Sequence, residues 1–352
     1  MAEILYTVSS DFHRMARLER GKVVELDFEI PGQPTSMLGA IYYGRVIEIQ
    51  KPLSVAFVDI GEKRLGMLPL REGKLVSLKQ GDGVLVQVSR TENPLEEKGV
   101  RLTRLITLAL GPLLYTPFTA GLSLSKRLKE RDVFKDLFSL SPGEGLVIRH
   151  WTFPQDPLKD WFLQLRAEWE TLQKQLPIKP PSCLLPGPDL LTRILRSLSP
   201  VDTLTVDDRA IVTRSEGRGL YTREKTFDEA CEEAWESLFS PEISFAKGGS
   251  LYIEETRGLT VIDVNSHGAL RHSLSFNREA VREALRQIRL RELGGKIVID
   301  LIDSPKEANL LLQGHFLPSD LQIWGISPMG LLEMTRRRRR FSLPQRLKLH
   351  LN

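Results

Sequence analysis

An α+β fold divided among several small domains is what this sequence predicts, on three observations. The chain has 352 residues, more than one ordinary hydrophobic core organises and enough for two or three. Its first part reads as short alternating strands separated by turns, and its last part alternates strand, helix and strand. Between them prolines and serines cluster from Pro177 to Pro188, and an earlier break falls at Pro31-Gly32-Gln33-Pro34-Thr35-Ser36.

Taken in order, residues 1 to 35 alternate apolar and polar positions around Ile4 to Val8 and again from Lys22 to Ile30, which predicts two strands with a turn between. From Gly39 to Thr107 the chain offers Ile41 to Ile49, Ser54 to Gly61, Leu65 to Leu70 and Gly83 to Val88 as short strands. That is the scale of a small antiparallel barrel of the OB type, although strand pattern alone does not separate it from other small barrels. Residues 108–181 hold a strand at Gly145 to His150 and a helix over 163–175. Residues 189–247 read as a helix (190–197), a strand (203–206) and a helix (227–238), with no chemical motif. The last section predicts strands at 251–255 and 259–264, a helix at 277–293, Gly294-Gly295, and a strand at 296–302.

Composition narrows the class. No apolar run reaches the roughly 18 residues a membrane span needs, and the start Met-Ala-Glu-Ile lacks the basic and apolar regions of a secretory signal. A cytoplasmic location is expected. Cys183 and Cys231 show no Cys-x-x-Cys spacing, so neither a disulfide nor a zinc site is expected and both read as packing residues. The formal net charge of +4 permits nucleic-acid binding without requiring it. Its placement says more: Arg278, Arg282, Arg286 and Arg289 recur on one helix face, Arg291 follows, and Arg336 to Arg340 run unbroken. Such runs are either solvated faces or phosphate-binding patches, and the helical stripe has no obvious acid partner along it.

Two apolar strands end in an acid, Leu259-Thr260-Val261-Ile262-Asp263 and Lys296-Ile297-Val298-Ile299-Asp300. Singly, each acid is the ordinary polar end of a strand. If the strands are neighbours, crossing over through the helix between them, the two carboxylates meet at the rim of a sheet, where ligands of α/β sheets bind. Paired carboxylates repel, and a hard divalent cation is the usual remedy: Mg2+, with Mn2+ as a substitute. Asn265 shares the face of Asp263 because strand side chains alternate. Asp303 reads as a supporting partner or a helix cap.

At these residues the sequence resembles the ribonuclease E/G family. The matching segments are Leu259-Thr260-Val261-Ile262-Asp263-Val264-Asn265-Ser266, Gln287-Ile288-Arg289-Leu290-Arg291-Glu292-Leu293-Gly294-Gly295, Ile297-Val298-Ile299-Asp300-Leu301-Ile302-Asp303 and Gly330-Leu331-Leu332-Glu333-Met334-Thr335-Arg336. Upstream, Ile41 to Val46 and Ala56 to Gly61 resemble the opening of the family's S1 domain. The resemblance implies an RNase H-like domain from residues 1–35 and 182–247, an S1-like OB barrel over 36–112, a 5′-sensor region over 113–181, a DNase I-like catalytic domain over 248–340 and a C-terminal tail over 341–352. It also implies that Asp263 and Asp300 bind magnesium, that Asn265 assists hydrolysis of single-stranded RNA, and that Phe57 and Lys98 contact the RNA. Arg149, Arg289 and Arg291 are further expected RNA contacts.

Departures qualify this. Ile60 and Met67 stand where the family's barrel commonly carries aromatics, and His150 and Asp320 stand beside Arg149 where its 5′-phosphate pocket uses Thr and Arg. An acid there repels phosphate, so reduced 5′-end sensing is expected. The family's Cys-x-x-Cys zinc link is not found, so no zinc-linked dimer is expected. The alternatives are a non-catalytic RNA-binding protein on the same scaffold, and a magnesium-dependent DNase, which explains the barrel poorly.

Overall fold

The computed structural model describes residues 1–32, 36–70, 78–92, 99–125, 128, 131–134, 136–149, 156–176, 178–198, 201–215, 219–222, 226–245, 248–268, 273–303, 308–315, 317–318 and 320–351. They form two compact units, one of residues 1–31 with 203–352 and one of residues 32–202.

The chain opens in the first unit with three antiparallel strands, β1 (Glu3–Val8), β2 (His13–Glu19) and β3 (Lys22–Glu29). The sequence predicts two strands and a turn here. The central strand, His-Arg-Met-Ala-Arg-Leu-Glu, hides its pattern because Arg14 and Arg17 interrupt the buried Met15, Ala16 and Leu18. Arg14 is held by both carboxylate oxygens of Glu232, at 2.8 and 3.0 Å.

In the second unit, β4 (Ile41–Gln50), β5 (Val55–Asp59), β6 (Gly66–Pro69), β7 (Gly83–Arg90) and β8 (Arg101–Thr103) pair in the order β4-β5-β6-β8-β7, and β7 returns to β4. This closes a five-stranded barrel around Val46, Ala56, Val58, Leu68, Val86 and Leu102, the expected small barrel. A second sheet, β9 (Leu108–Leu110), β10 (Leu113–Thr116), β11 (Gly121–Leu124) and β12 (Gly145–Ile148), has the order β11-β12-β10-β9. Helix α1 (Asp156–Lys174) lays Leu158, Phe162, Leu165, Trp169 and Leu172 into the same core as that sheet, at the 4-3-4-3 spacing of one helix face. The break expected at the Pro177 to Pro188 cluster falls within this unit: β13 (Ser182–Leu185) pairs with β4, and α2 (Leu190–Ser197), the helix expected over 190–197, is capped by Asp189, which accepts from the Thr192 N–H at 2.7 Å.

Back in the first unit, β14 (Thr203–Val206) pairs in parallel with β1, and α3 (Arg209–Arg214) leads to β15 (Gly219–Tyr221), giving the sheet order β15-β14-β1-β2-β3. Helix α4 (Glu229–Glu236) buries Cys231, as expected of a packing residue, whereas Cys183 is exposed. The remaining strands are β16 (Glu242–Phe245), β17 (Gly249–Glu255), β18 (Leu259–Asn265), β19 (Gly295–Asp300), β20 (Leu321–Ile326) and β21 (Leu331–Arg336). Helix α5 (Ser273–Leu290) lies between β18 and β19 in the chain, and α6 (Ala308–Leu312) between β19 and β20. The sheet order is β16-β17-β18-β19-β21-β20, with β18 and β19 parallel. One face of this sheet, carrying Leu251, Ile262, Val264, Ile297, Ile299 and Leu332, packs on Phe276, Ala280, Val281, Ala284 and Ile288 of α5. The segment expected to be a tail forms α7 (Leu343–Leu351), whose Leu343 and Leu347 enter a core with Leu5, Leu26 and Phe28 of the N-terminal sheet.

Candidate active site

Strand alternation places the acids. Ile262 and Val264 face the core, so Asp263 and Asn265 face the other side, and Ile297 and Ile299 do the same for Asp300. The parallel register sets Asp263 beside Asp300 on neighbouring strands, which lie about 4.8 Å apart. Asn265 Nδ2 donates to Asp263 Oδ2 at 2.9 Å. Asp263 is half-buried, and Asp300 and Asn265 are exposed. Among the described residues no group of three or more His, Cys, Asp and Glu side chains comes together. The donor set here is therefore two carboxylates with a neighbouring amide. It suits a hard cation that keeps several of its waters.

The loop leaving Asp300 is tied down from below. Asn277, 1% exposed on α5, donates from Nδ2 to the Ile302 carbonyl at 2.7 Å and accepts the Ile302 N–H at 3.2 Å. Asp303 follows in the left-handed region at φ 59° and is exposed. Residues 304–307, which follow it and bear on the expected cap, lie outside the described residues.

On the far side of Asp263, β17 approaches closely through Gly249, where a Cβ would come within 2.7 Å of the Asn265 carbonyl oxygen and 2.4 Å of the Phe276 ring. Next to it Ser250 is the register partner of Asn265 and is buried; its Oγ lies 3.0 Å from His267 Nε2. His267 adopts φ 45°, and Glu242 Oε1 lies 4.0 Å from the same ring nitrogen. Sequence reasoning missed Asn277, Ser250 and His267. Only the Gly248-Gly249-Ser250 run gave a signal, since paired glycines before a strand mark close backbone approach.

In the barrel, Phe57 lies half-buried between the buried Ala56 and Val58, with Met67 as its register partner on β6. Ile60 is 2% exposed and packs in the barrel core, so it does not stand where a surface aromatic was expected. Lys98 and His150 lie outside the described residues. Arg149 is exposed, with its backbone N–H bonded to the Pro112 carbonyl at 2.9 Å. Asp320 is paired with Arg336 at 3.3 Å.

With this geometry in hand, comparison with known proteins is specific. The sequence model of the Ribonuclease E/G family matches residues 107–339. The chain belongs to the ribonuclease E/G family. It is 30% identical over 380 aligned residues to Ribonuclease E of Haemophilus influenzae, covering 92% of this chain and 40% of that protein. It is 31% identical over 381 residues to Ribonuclease E of Escherichia coli, covering 92% and 36%. It is 28% identical over 397 residues to Ribonuclease G of Haemophilus influenzae, covering 97% and 80%. The chain thus spans well under half the length of the first two relatives.

In this member of the ribonuclease E/G family the arginine stripe is not an open cationic face, and that expectation is corrected. Arg282 pairs with Glu279 at 2.6 Å, Arg286 pairs with Glu283 at 2.7 Å and donates to the Val23 carbonyl, and Arg278 donates to the Gln313 carbonyl. Arg289, expected to contact RNA, is paired with Glu19 at 2.7 Å. Arg291, with the same expectation, is 5% exposed and donates to Gln287 and to the Ser237 and Ser240 carbonyls; burial lowers its pKa to about 10. A guanidinium this buried, with its Nε and one terminal nitrogen bonded to those oxygens, is not presented to a phosphate. The acids were invisible in the stripe's pattern because Glu19 comes from a distant strand and the helix's own acids sit at i−3. The Arg336 to Arg340 run is likewise largely structural: Arg336 also donates to the Ile288 carbonyl, Arg338 bonds the Gly294 carbonyl, and Arg340 pairs with Asp27 and Glu292. Arg337 and Arg339 are exposed.

Proposed function

We propose that this chain is a magnesium-dependent endoribonuclease that hydrolyses single-stranded RNA to 5′-phosphate and 3′-hydroxyl ends, in ribosomal RNA processing or messenger RNA turnover. The observation that carries the reading is the in-register pair Asp263 and Asp300, with Asn265 bonded to the first. The ribonuclease names of its relatives support the substrate class. Asp263 and Asp300 would hold a magnesium ion, whose chemistry there would be Lewis acidity toward a phosphodiester and acidification of a water.

The residues of the chain do the rest. The two carboxylates would hold that cation on the open face of the sheet. Asn265, its amide plane set by the bond to Asp263, offers its remaining amide groups to orient the attacking water or a phosphate oxygen. Asn277 holds the loop after Asp300, and with it the reach of that carboxylate. Asp303 is assigned a supporting place beside the pair.

The same reading assigns the five-stranded barrel as an S1-like RNA clamp using Phe57 and Lys98, residues 113–181 as a 5′-sensor-like region containing Arg149, and the six-stranded sheet with α5 as a DNase I-like catalytic domain. Residues 1–35 with 182–247 are read as the RNase H-like part. The chain is read as cytoplasmic; among the described residues no helix is long and apolar enough to cross a membrane.

The test is cleavage of a 5′-labelled, A/U-rich single-stranded RNA in magnesium, in manganese and in chelator, for the wild-type chain and for Asp263→Asn and Asp300→Asn. Metal-dependent cleavage lost in both variants, with RNA binding retained, supports the proposal. A wild-type chain that binds RNA and never cuts it replaces the proposal with a non-catalytic RNA-binding protein.

A further inference from the structure

The face of the six-stranded sheet that carries the acids has an uneven surround. Along the row through the carboxylates the register runs Tyr252 on β17, Asp263 on β18, Asp300 on β19 and Leu331 on β21. All four side chains lie on the face opposite α5, because their strand neighbours Leu251, Ile253, Ile262, Val264, Ile299 and Leu332 fill the core. Directly opposed residues of an antiparallel pair hold their Cβ atoms roughly 5 Å apart, so the Tyr252 ring abuts whatever Asp263 holds. Tyr252 is 40% exposed, and its ring makes no aromatic contact among the described residues. A phenol ring left in water beside a carboxylate pair adds little to folding; burial of its flat face against a ligand is the energy it has to offer. On the other flank, Leu331 is half-buried and aliphatic. The exposed Trp324 is not part of this row: its indole N–H bonds Thr335 Oγ1 at 3.1 Å, four residues along β21 from Leu331.

From this asymmetry we infer that Tyr252 is a positioning and specificity-determining residue, stacking on the base of one nucleotide that flanks the scissile phosphate, and that it gives the cut a purine preference at that nucleotide. The inference rests on the proposed reading of the carboxylate pair as the cleavage site. Stacking is indifferent to hydrogen-bond pattern and grows with ring area, which is why it discriminates purine from pyrimidine and not one purine from another. The row of side chains places the aromatic on one side of the phosphate only. The nucleotide over Leu331 therefore gains no comparable contact.

The experiment is a cycle between protein and substrate. A single-site RNA is prepared intact and with an abasic sugar at each of the positions next to the cut, and the wild type, Tyr252→Phe and Tyr252→Ala are compared. Stacking on one base corresponds to a loss of about 5- to 150-fold in kcat/KM for Tyr252→Ala on intact RNA, while Tyr252→Phe stays within about twofold because the phenyl ring still stacks. At one position the abasic sugar lowers the wild type to the level of Tyr252→Ala and leaves that variant unchanged. Equal rates for wild type and Tyr252→Ala on intact RNA overturn the inference, and so does a Tyr252→Ala penalty that persists with every abasic RNA, which marks a purely structural role. Failure of the underlying reading looks different: the wild type then binds RNA without cutting it. The same cycle is then scored by dissociation constants, where coupling between Tyr252 and one base supports the contact and its absence overturns it.

Discussion

Replacing Asp27 by asparagine removes one of four charges that sit together between β3, the start of α7 and the turn after α5. Asp27 Oδ2 accepts from both terminal nitrogens of Arg340 at 3.1 Å, and Oδ1 accepts from Arg346 at 3.0 Å and from the Phe28 N–H at 2.9 Å. Glu292 pairs with Arg340 at 2.9 Å and with Arg346 at 2.8 Å. Two cations and two anions cancel. The Asp27 side chain is only 7% exposed, and those of Arg340 and Arg346 12% and 16%. Burial alone pulls the Arg340 pKa down, but Asp27 and Glu292 outweigh it and hold the guanidinium above its ordinary range. Asparagine keeps the shape and leaves one net positive charge buried. Breaking a buried pair from one side costs about 3–5 kcal/mol, and because Glu292 still touches both arginines the lower end, about 3 kcal/mol, is expected. The assay is urea unfolding followed by circular dichroism at neutral pH, at low salt and at about 0.5 M salt, where a buried cluster changes little and a surface pair weakens. Adding Arg346→Met to Asp27→Asn restores charge balance and recovers part of the loss. A loss under about 1 kcal/mol, the scale of a solvent-exposed bridge, refutes the reasoning.

Glu144 gives a pH test: burial raises its pKa, but Arg166, the Ser141 N–H and the Tyr115 hydroxyl together outweigh it and hold the carboxyl below its ordinary value. A carboxyl that titrates lower folded than unfolded stabilises fully above its unfolded pKa and loses that contribution as pH falls through the folded one, so acid unfolding is expected to steepen from about pH 4.5 downward; Arg166→Met lowers stability at neutral pH and flattens that slope, as an acid titration followed by fluorescence will register. Gly249→Ala forces β17 away from the Asn265 carbonyl and the Phe276 ring, and is expected to cost about 1–3 kcal/mol and to reduce cleavage more than RNA binding; unchanged unfolding midpoint and rate would contradict the close approach. His150 and Asp320 stand where the family's 5′-phosphate pocket uses Thr and Arg, so equal cleavage rates are expected for 5′-monophosphorylated and 5′-hydroxyl RNA of the same sequence, and a strong monophosphate preference in paired time courses counts against reduced sensing.

The carboxylate strands were legible because two short-range rules act together there. An apolar strand needs alternation to seat one face on a core, and an acid at its end is visible as the one residue that breaks the run; Asp263, Asn265 and Asp300 follow from that. The barrel was legible for the same reason, through Val46, Val58, Val86 and Leu102. The short, charge-interrupted β2 was not, because a strand held on both sides by register partners does not need a clean pattern of its own.

What the sequence by itself determined is therefore local: the period of each main element and the identity of the two acids. Only the tertiary structure decided which acids and bases meet. The arginines that read as a phosphate-binding stripe are tied to Glu19, Asp27, Glu292 and main-chain carbonyls, partners up to 313 residues away in the chain. Ion pairing depends on distance in space and burial, and sequence spacing carries that information only within one or two turns of a helix. The same holds for Tyr252, an unremarkable strand residue in the sequence that the register sets beside Asp263.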